Sequence, residues 1–407
     1  MGASLWQTRL DGDEASWDGA AARAGGGVVA DARVDAVVIG AGVVGLSAAI
    51  ELESRGVRTL VLERGRAACG ASGRNAGYLM RGAADNYFGA SEIWGREGAR
   101  HVWRWSEDNL RALRALGIER LPGYAARLSA LVAIDADECE ALERSCEMMC
   151  EDGFEAELVR TGEDALWRAG CARVALVNPR DACCDPIEVM SWLAGMLREP
   201  VVEGVRVRAC VRTGDAVRVE TDRGVVEAGI AIVATNALAA ELVPQLAGVV
   251  EACRGQMAAY RAPNADLAMS YYLNHGGEYV RTGTDGLLLA GGMRRFHEAS
   301  ERTVSNEPTP ALQGDLDAFV RETFDVGALE VVARWAGTMG FTPSGLPVLG
   351  VLGGDGEGRL GVAAGFTGHG MSLGHLAGRE VASAAWEGRT VRLASCPSGA
   401  MALRGSA

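Results

Sequence analysis

The sequence predicts an α/β protein: a doubly wound parallel sheet, discontinuous along the chain, with a second α+β domain built from its insertions. Three observations predict it. Residues 34–39 (VDAVVI) and 58–63 (RTLVLE) are apolar runs that flank a helix-like stretch, Val43–Arg55, and complete a β-α-β unit within about 30 residues. Two later passages repeat the strand-then-turn pattern. GIAIVATNA (229–237) is a buried strand entering a turn, and RLGVAAGFTGHGMSLG (359–374) is an apolar strand, a glycine cluster and a helix start. Between them, 254–293 holds several alternating β-like runs (RGQMAAYRA, YYLNHGGEYVRT, GLLLAGGMR).

Residues 1–33 read as an irregular extension with a glycine-rich stretch, AGGGVVA. From 92 to 151 the periodicity is helical, with Trp94, Val102, Trp105, Leu110 and Leu113 on one amphipathic stripe. Residues 205–211 and 216–221 are short alternating strands, and 310–324 reads as helix. No internal repeat is present. The nucleotide-type pieces at both ends and in the middle assign 34–90, 170–245 and 335–400 to one discontinuous domain. The second domain takes 91–169 and 246–334.

A formal charge of −13 argues against a nucleic-acid partner, which needs a basic footprint, and suits a small neutral or cationic ligand. No apolar run approaches the roughly 18 residues of a membrane span. The acidic N-terminus lacks an apolar signal core, so a cytoplasmic protein is expected. The ten cysteines include no C-x-x-C pair and no histidine near the Cys139–Cys150 group, a pattern of free thiols without a metal. All 40 basic residues are arginine, so no step can use a lysine amine.

The first turn carries Gly40-x-Gly42-x-x-Gly45. Gly40 permits the tight turn, Gly42 lets a pyrophosphate approach the backbone, and Gly45 allows close helix–strand packing. The following helix offers unpaired N–H groups and its positive dipole end. Glu63 closes the second strand, where a carboxylate accepts ribose hydroxyls and disfavours a 2′-phosphate. A second small-residue loop, ERGRAACGASGRNAGYL (63–79), follows at once. A ligand with a bulky ring system beyond its pyrophosphate can use Ser72, Arg74 and Asn75 there as donors.

The chain resembles the FAD-dependent amine and amino-acid oxidase family, the group of monomeric sarcosine oxidase, glycine oxidase, D-amino-acid dehydrogenases and gamma-glutamylputrescine oxidase. The matching stretches are 35–65, GASGRNAGYL (70–79), IVATNA (232–237), RGQM (254–257), WAGTMGFTPSGLPVLG (335–350) and GFTGHGM (365–371). GASGRN and MGFTPSGLP are most similar to the gamma-glutamylputrescine-oxidase-like branch. The resemblance implies a Rossmann-like FAD domain and an antiparallel-sheet substrate domain that roofs the flavin. It places Gly40, Gly42 and Gly45 at the pyrophosphate, Glu63 at the ribose, and Arg64, Ala71 and Ser72 along the cofactor. It also places Val211 at adenine through its backbone, and Gly368, His369, Gly370 and Met371 at the pyrimidine edge. Gly337 stands where one branch has the cysteine that attaches flavin covalently, which implies FAD held without a covalent link. Ser372 stands where that branch places a lysine for the substrate carboxylate.

The implied reaction is hydride transfer from the carbon next to an amine nitrogen to flavin N5, with imine hydrolysis and O2 as electron acceptor. A dehydrogenase that serves a quinone or carrier, and a non-catalytic flavoprotein, are the alternatives. The protein must then place positive potential at the ring's pyrimidine edge, from the helix near Met371 and from His369, protonated or as a hydrogen-bond partner. Tyr271, Tyr272, His275, Tyr279, Arg281 and His297 fall in the β-rich stretch. Period-two alternation puts Tyr279 and Arg281 on one face, an aromatic wall with a carboxylate anchor, and pairs Arg254 with Gln256 in the same way.

Overall fold

The computed structural model describes residues 3–12, 22–24, 32–83, 85–160, 166–354 and 356–389. The tract 25–31, which holds most of the AGGGVVA stretch, and the expected domain end at 390–400 lie outside the described residues. The chain divides into two compact units, each assembled from three segments. Unit I comprises Met1–Trp6, Arg74–Pro186 and Arg254–Gly337; unit II comprises Gln7–Gly73, Ile187–Cys253 and Thr338–Ala407. The crossings thus fall at 6/7, 73/74, 186/187, 253/254 and 337/338; that at 73/74 comes earlier than the expected 90/91, and that at 186/187 later than the expected 169/170.

Unit II is built on a sheet whose parallel strands lie in the order Ala22–Ala24, Val201–Glu203, Thr59–Glu63, Ala32–Ile39, Gly224–Val233, Arg359–Ala364. The chain leaves Ala32–Ile39 toward one side and later returns on the other, so a topological switch point lies between Ala32–Ile39 and Gly224–Val233. Strand Gly224–Val233 has two jobs. Its first half carries the antiparallel meander Val207–Thr213 and Ala216–Thr221, and its second half pairs with Arg359–Ala364. The apolar runs of the sequence fill the core here: Val37, Leu62, Val217, Val233, Val362 and Ala364 are among its buried members. Burying such a side chain contributes roughly 1.5–3 kcal/mol.

Helices Val43–Ser54 and Gly370–Glu387 pack side by side and parallel, with contacts that advance together along both: Ser47 to His375, Glu51 to Arg379, Arg55 to Ser383 and Glu387. The approach needs glycine. A Cβ on Gly378 would lie 2.2 Å from the Val44 carbonyl oxygen, and one on Gly374 would lie 2.9 Å from Val43 Cγ1.

Unit I holds an eight-stranded sheet in the order Glu330–Phe341, Glu251–Arg261, Leu288–Gly291, Glu278–Thr282, Ser270–Leu273, Ser129–Ala133, Val174–Asn178, Glu157–Arg160. It is not wholly antiparallel, because Ser270–Leu273 pairs parallel with Ser129–Ala133. One face buries Ala130, Val177, Tyr271, Val280, Ala258 and Tyr260 beneath Leu316, Phe319 and Val320 of helix Pro310–Thr323.

Three local expectations are corrected. The stretch 92–151 is not continuous helix but Tyr87–Leu116 and Ala136–Glu151, with strand Ser129–Ala133 between them as a sheet member. On the first helix Trp94 is buried as expected, but its packed partner in the aromatic stripe is Trp103, 2% exposed, rather than Trp105, which is half-buried. The N-terminal extension is not wholly irregular either: Leu5–Gly12 is helix and Ala22–Ala24 joins the edge of the unit II sheet. Trp6 explains why this helix is held, since its indole N–H donates to the Asn75 carbonyl at 2.9 Å and its ring meets Trp335 edge-on.

Candidate functional site

In unit II the first turn closes at the switch point. Gly40 has φ +102°, its N–H donates to the Leu62 carbonyl, and a Cβ there would lie 2.8 Å from the Ala234 oxygen, at the end of the adjacent strand. A Cβ on Gly45 would lie 1.8 Å from the Gly40 carbonyl oxygen, so only glycine lets the helix start tuck under the turn. Gly42 is the N-cap of helix Val43–Ser54, and a Cβ on it would lie 2.7 Å from Ser72 Oγ.

Ser72, in the single turn Ala71–Gly73, accepts the Val43 N–H at 3.0 Å. The small-residue loop thus lies against the exposed end of the helix. Glu63 is buried, and its carboxylate accepts the Ala41 N–H at 3.0 Å and the Gly65 N–H at 2.9 Å. Those bonds aim the carboxylate and leave acceptor sites for hydroxyl groups. Arg64 is exposed and Ala71 half-buried.

The glycine loop before the last helix is laced to two other pieces of unit II. Asn236 Oδ1 accepts the Gly365 N–H at 2.9 Å, and the Thr367 N–H donates to the Gly340 carbonyl at 2.8 Å. Both Asn236 and Thr367 adopt φ +47°, a conformation uncommon outside glycine and a true outlier for a β-branched residue. Such strain persists where the surroundings over-determine it, and it clusters at ligand clamps.

Gly368 (φ +88°) is exposed, His369 caps the helix that starts at Gly370, and Met371 is buried. The helices Val43–Ser54 and Gly370–Glu387 therefore present two N-termini at the same end, a doubled positive partial charge. Thr235 Oγ1, beside the Gly40 turn, is buried with no partner among the described residues. A cradle lined by glycine, capped by Ser72 and holding this orphaned hydroxyl fits a pyrophosphate-bridged dinucleotide such as FAD.

Protonated His369 does not emerge from this geometry. The loop encloses the imidazole, and desolvation lowers its pKa to about 4, although part of its surface stays open. His375 is fully buried, its Nδ1 is 2.8 Å from Ser47 Oγ, and burial, aided by Arg379, lowers it to about 4 as well. Both folded pKa values lie below the ordinary 6.5, so the folded protein binds fewer protons between those limits. Stability is then expected to fall as pH drops from about 6.5 to about 4 and to level off below. Ring-proton NMR should find both histidines neutral at pH 6; a His369 midpoint above 6 would restore it as a cation.

Val211 lies mid-strand in Val207–Thr213, whose only ladder among the described residues is with Ala216–Thr221, and its side chain is 47% exposed. The backbone that meets the Glu63 strand comes earlier: Val205 N–H donates to the Glu63 carbonyl and Gly204 N–H to that of Gly65.

In unit I, Gly337 leaves no room for a side chain, because a Cβ would sit 2.9 Å from that of Arg74. Arg74 in turn donates to the Ala336 carbonyl at 3.0 Å, and its own carbonyl accepts the Trp335 indole. Asn75 Oδ1 accepts the Gly77 N–H at 2.7 Å.

Tyr272 and Tyr279 are directly opposed across strands, with ring centroids 5.7 Å apart. Tyr78 completes the group at 5.0 Å from Tyr272 and 6.0 Å from Tyr279. It lies nearly 200 residues earlier in a two-residue strand, so no periodicity in the sequence flags it. Arg281 shares the face but is 2% exposed, and its guanidinium donates to the carbonyls of Ala76 (2.6 Å), Cys184 (3.0 Å) and Thr282 (3.4 Å). As a carboxylate anchor it is corrected to a strut. Arg254 is likewise engaged, with both Nε and Nη2 at 2.7 Å from the buried Glu301 carboxylate. His275 is at the exposed hairpin tip, near Glu138, and His297 pairs with Asp315 at 2.6 Å. Tyr271 points into the opposite, core face.

A family model described as FAD dependent oxidoreductase (DAO) matches residues 35–384. Among curated proteins, a probable oxidoreductase OrdL of Rhizobium meliloti is 25% identical over 85% of this chain and 82% of its own. Gamma-glutamylputrescine oxidoreductase of Escherichia coli is 27% identical over 86% and 82%, and glycine oxidase of Pseudomonas aeruginosa is 28% identical over 77% and 85%. Among solved structures, glycine oxidase from Geobacillus kaustophilus aligns with a TM-score of 0.75 at 22% identity over 92% of this chain and all of that one. That last likeness is one of fold.

Proposed function

Because the chain belongs to the FAD dependent oxidoreductase (DAO) family, we propose that it oxidises a C–N bond of a small primary or secondary amine or amino acid. FAD is the cofactor. The observation that carries this reading is the unit II cradle, where two parallel helix N-termini and an oriented Glu63 converge on one switch point. Two relatives named for nitrogen compounds, gamma-glutamylputrescine oxidoreductase and glycine oxidase, support the substrate class.

In this reading the Gly40–Gly45 turn and the Val43 helix end hold the pyrophosphate, and Glu63 accepts the ribose hydroxyls. Ser72 and the Arg64–Ala71 backbone follow the cofactor, and Gly368 to Met371 meet the ring's pyrimidine edge. Asn75 Oδ1 is engaged with Gly77, so any cofactor bond from Asn75 would come from its amide nitrogen. The helix end at Gly370, rather than a charged imidazole, supplies positive potential for the reduced ring.

When bound, FAD would supply the hydride acceptor for the carbon next to the neutral amine nitrogen, and hydrolysis of the resulting imine would give a carbonyl compound and a released amine. The final acceptor is O2, giving H2O2. A second reading, transfer to a quinone or carrier protein, is favoured by one observation: with no lysine in the chain and His369 neutral, these positions supply no side-chain cation for oxygen activation. Rapid mixing of amine-reduced protein with air separates the two, since re-oxidation over many minutes would remove the oxidase reading. Acid precipitation of the yellow protein should leave the colour in the supernatant, because Gly337 cannot form a link; a yellow pellet would overturn that point.

A further inference from the structure

The face of the unit I sheet opposite its core carries a row set by strand register. Directly opposed residues run Leu176, Leu131, Tyr272, Tyr279, Gly291, Met257. Opposed residues share a face, so this row is a continuous apolar and aromatic strip. Gly291 is required in it: a Cβ there would lie 2.4 Å from the Tyr279 ring, which lies across that strand instead. Tyr78 extends the strip into a three-ring cluster. Tyr272 and Tyr279 are only half-buried, and neither hydroxyl has a hydrogen-bond partner among the described residues.

Burial keeps both phenols neutral, with Tyr279 pushed up to about 12. The face thus offers π surfaces and unengaged phenol hydroxyls. Arg281 beside them is 2% exposed and held by three backbone carbonyls, with its guanidinium 6.0 Å from the Tyr78 ring centroid, so it is not presented for direct pairing at the face.

We propose that Tyr78, Tyr272 and Tyr279 form the substrate-recognition element, and that it selects an alkyl- or polyamine without a carboxylate over an α-amino acid. The inference deepens the function proposed above and rests on it. The rings take an aliphatic chain on their faces and attract an ammonium group through their quadrupoles, while the phenols offer hydrogen bonds. A carboxylate brought to the same face would be desolvated without direct pairing to the buried Arg281, a cost that selects against it. Arg294 is the cation whose field reaches Tyr279 from the rim, and it is the group through which a carboxylate preference would have to act.

The test compares paired compounds on the FAD-loaded protein: putrescine with ornithine, isobutylamine with valine, phenethylamine with phenylalanine, both enantiomers of each acid. Two readouts apply, anaerobic bleaching of the flavin and the ligand-induced rise in melting temperature. The carboxylate-free member of at least one pair should exceed its acid about tenfold or more in kcat/KM, or about 1.4 kcal/mol, and should stabilise the protein more. Tyr279→Leu and Tyr272→Leu should raise KM for that amine about tenfold with a smaller change in kcat, and Tyr279→Phe should retain most of the affinity. Acids that outperform their amines, above all if Arg294→Gln abolishes that preference, overturn the inference and leave the function standing. Unchanged KM in both leucine variants overturns the tyrosines' role. If no member of any pair bleaches the flavin or shifts the melting temperature, the function reading falls and this inference falls with it.

Discussion

Gly45→Ala is expected to yield protein that no longer retains FAD and melts well below the parent. The added methyl would sit 1.8 Å from the Gly40 carbonyl oxygen, which is backbone and cannot rotate away. Relief requires the helix start to lift off the turn, and that same movement takes the Val43 N–H from Ser72 Oγ and spoils the field at the helix end. Overpacking against backbone costs about 3 kcal/mol. Flavin absorbance after gel filtration and thermal melts of apo and loaded protein measure both effects. Retention of stoichiometric FAD by the variant would show that the cradle does not depend on this contact.

Glu301→Gln is expected to have an effect of similar size in unit I. Glu301 is 1% exposed, receives two bonds from Arg254 at 2.7 Å, and receives the Gln256 amide at 3.0 Å on each oxygen. Arg254 also reaches the carbonyls of Ser300 and Glu307, while Gln256 donates to Thr309 Oγ1 and accepts its N–H, so the cluster fastens residues 300–309 to strand Glu251–Arg261.

Neutralising one member of a buried pair leaves the other charge without compensation, a loss of about 3–5 kcal/mol. The pH dependence carries the signature. Burial raises the Glu301 pKa, but the bonds from Arg254 and Gln256 outweigh it and leave it lowered from 4.5. Its contribution is therefore full above about pH 4.5 and is lost as pH falls through the lower folded value. Urea midpoints of parent and variant should differ most at neutral pH and converge in acid. A constant gap from pH 7 down to pH 3 would show that the charge is not what holds the segment.

What the sequence reveals follows from the range of the forces involved. The Gly40–Gly45 turn is legible because its decisive requirements are local: Gly40 takes φ +102°, and a Cβ on Gly45 would meet the Gly40 carbonyl of the same turn. The contacts of Gly40 with Ala234 and of Gly42 with Ser72 come from later in the chain. The strip of tyrosines is partly legible, since period two places Tyr279 and Arg281 on one face, but it cannot say what a side chain does there. Arg281 finds the carbonyls of Ala76 and Cys184, far away in sequence, and those contacts decide its role. Strand Ser129–Ala133 is hidden for a related reason. Its five residues, SALVA, are short, apolar and set between two long helices, and only pairing with Ser270–Leu273 and Val174–Asn178 makes them strand. Trp6 likewise depends on Asn75 and Trp335 for its burial. His369 is conspicuous in GFTGHG, yet its charge is settled by how tightly the loop folds around it.

The close contact between helices Val43–Ser54 and Gly370–Glu387 has a further consequence. With Gly374 and Gly378 pressed against Val43 and Val44, neither rod can slide or roll without the other, and the far ends are clasped by Arg55 with Glu387 and Arg379 with Glu51. The two helix ends proposed to receive the cofactor behave as a single keyed block. Drift in a residue that no ligand touches, such as Gly378, would therefore surface as a defect in holding FAD. The inventory of positions that govern cofactor retention reaches the outer end of the helix pair, well beyond the atoms in contact.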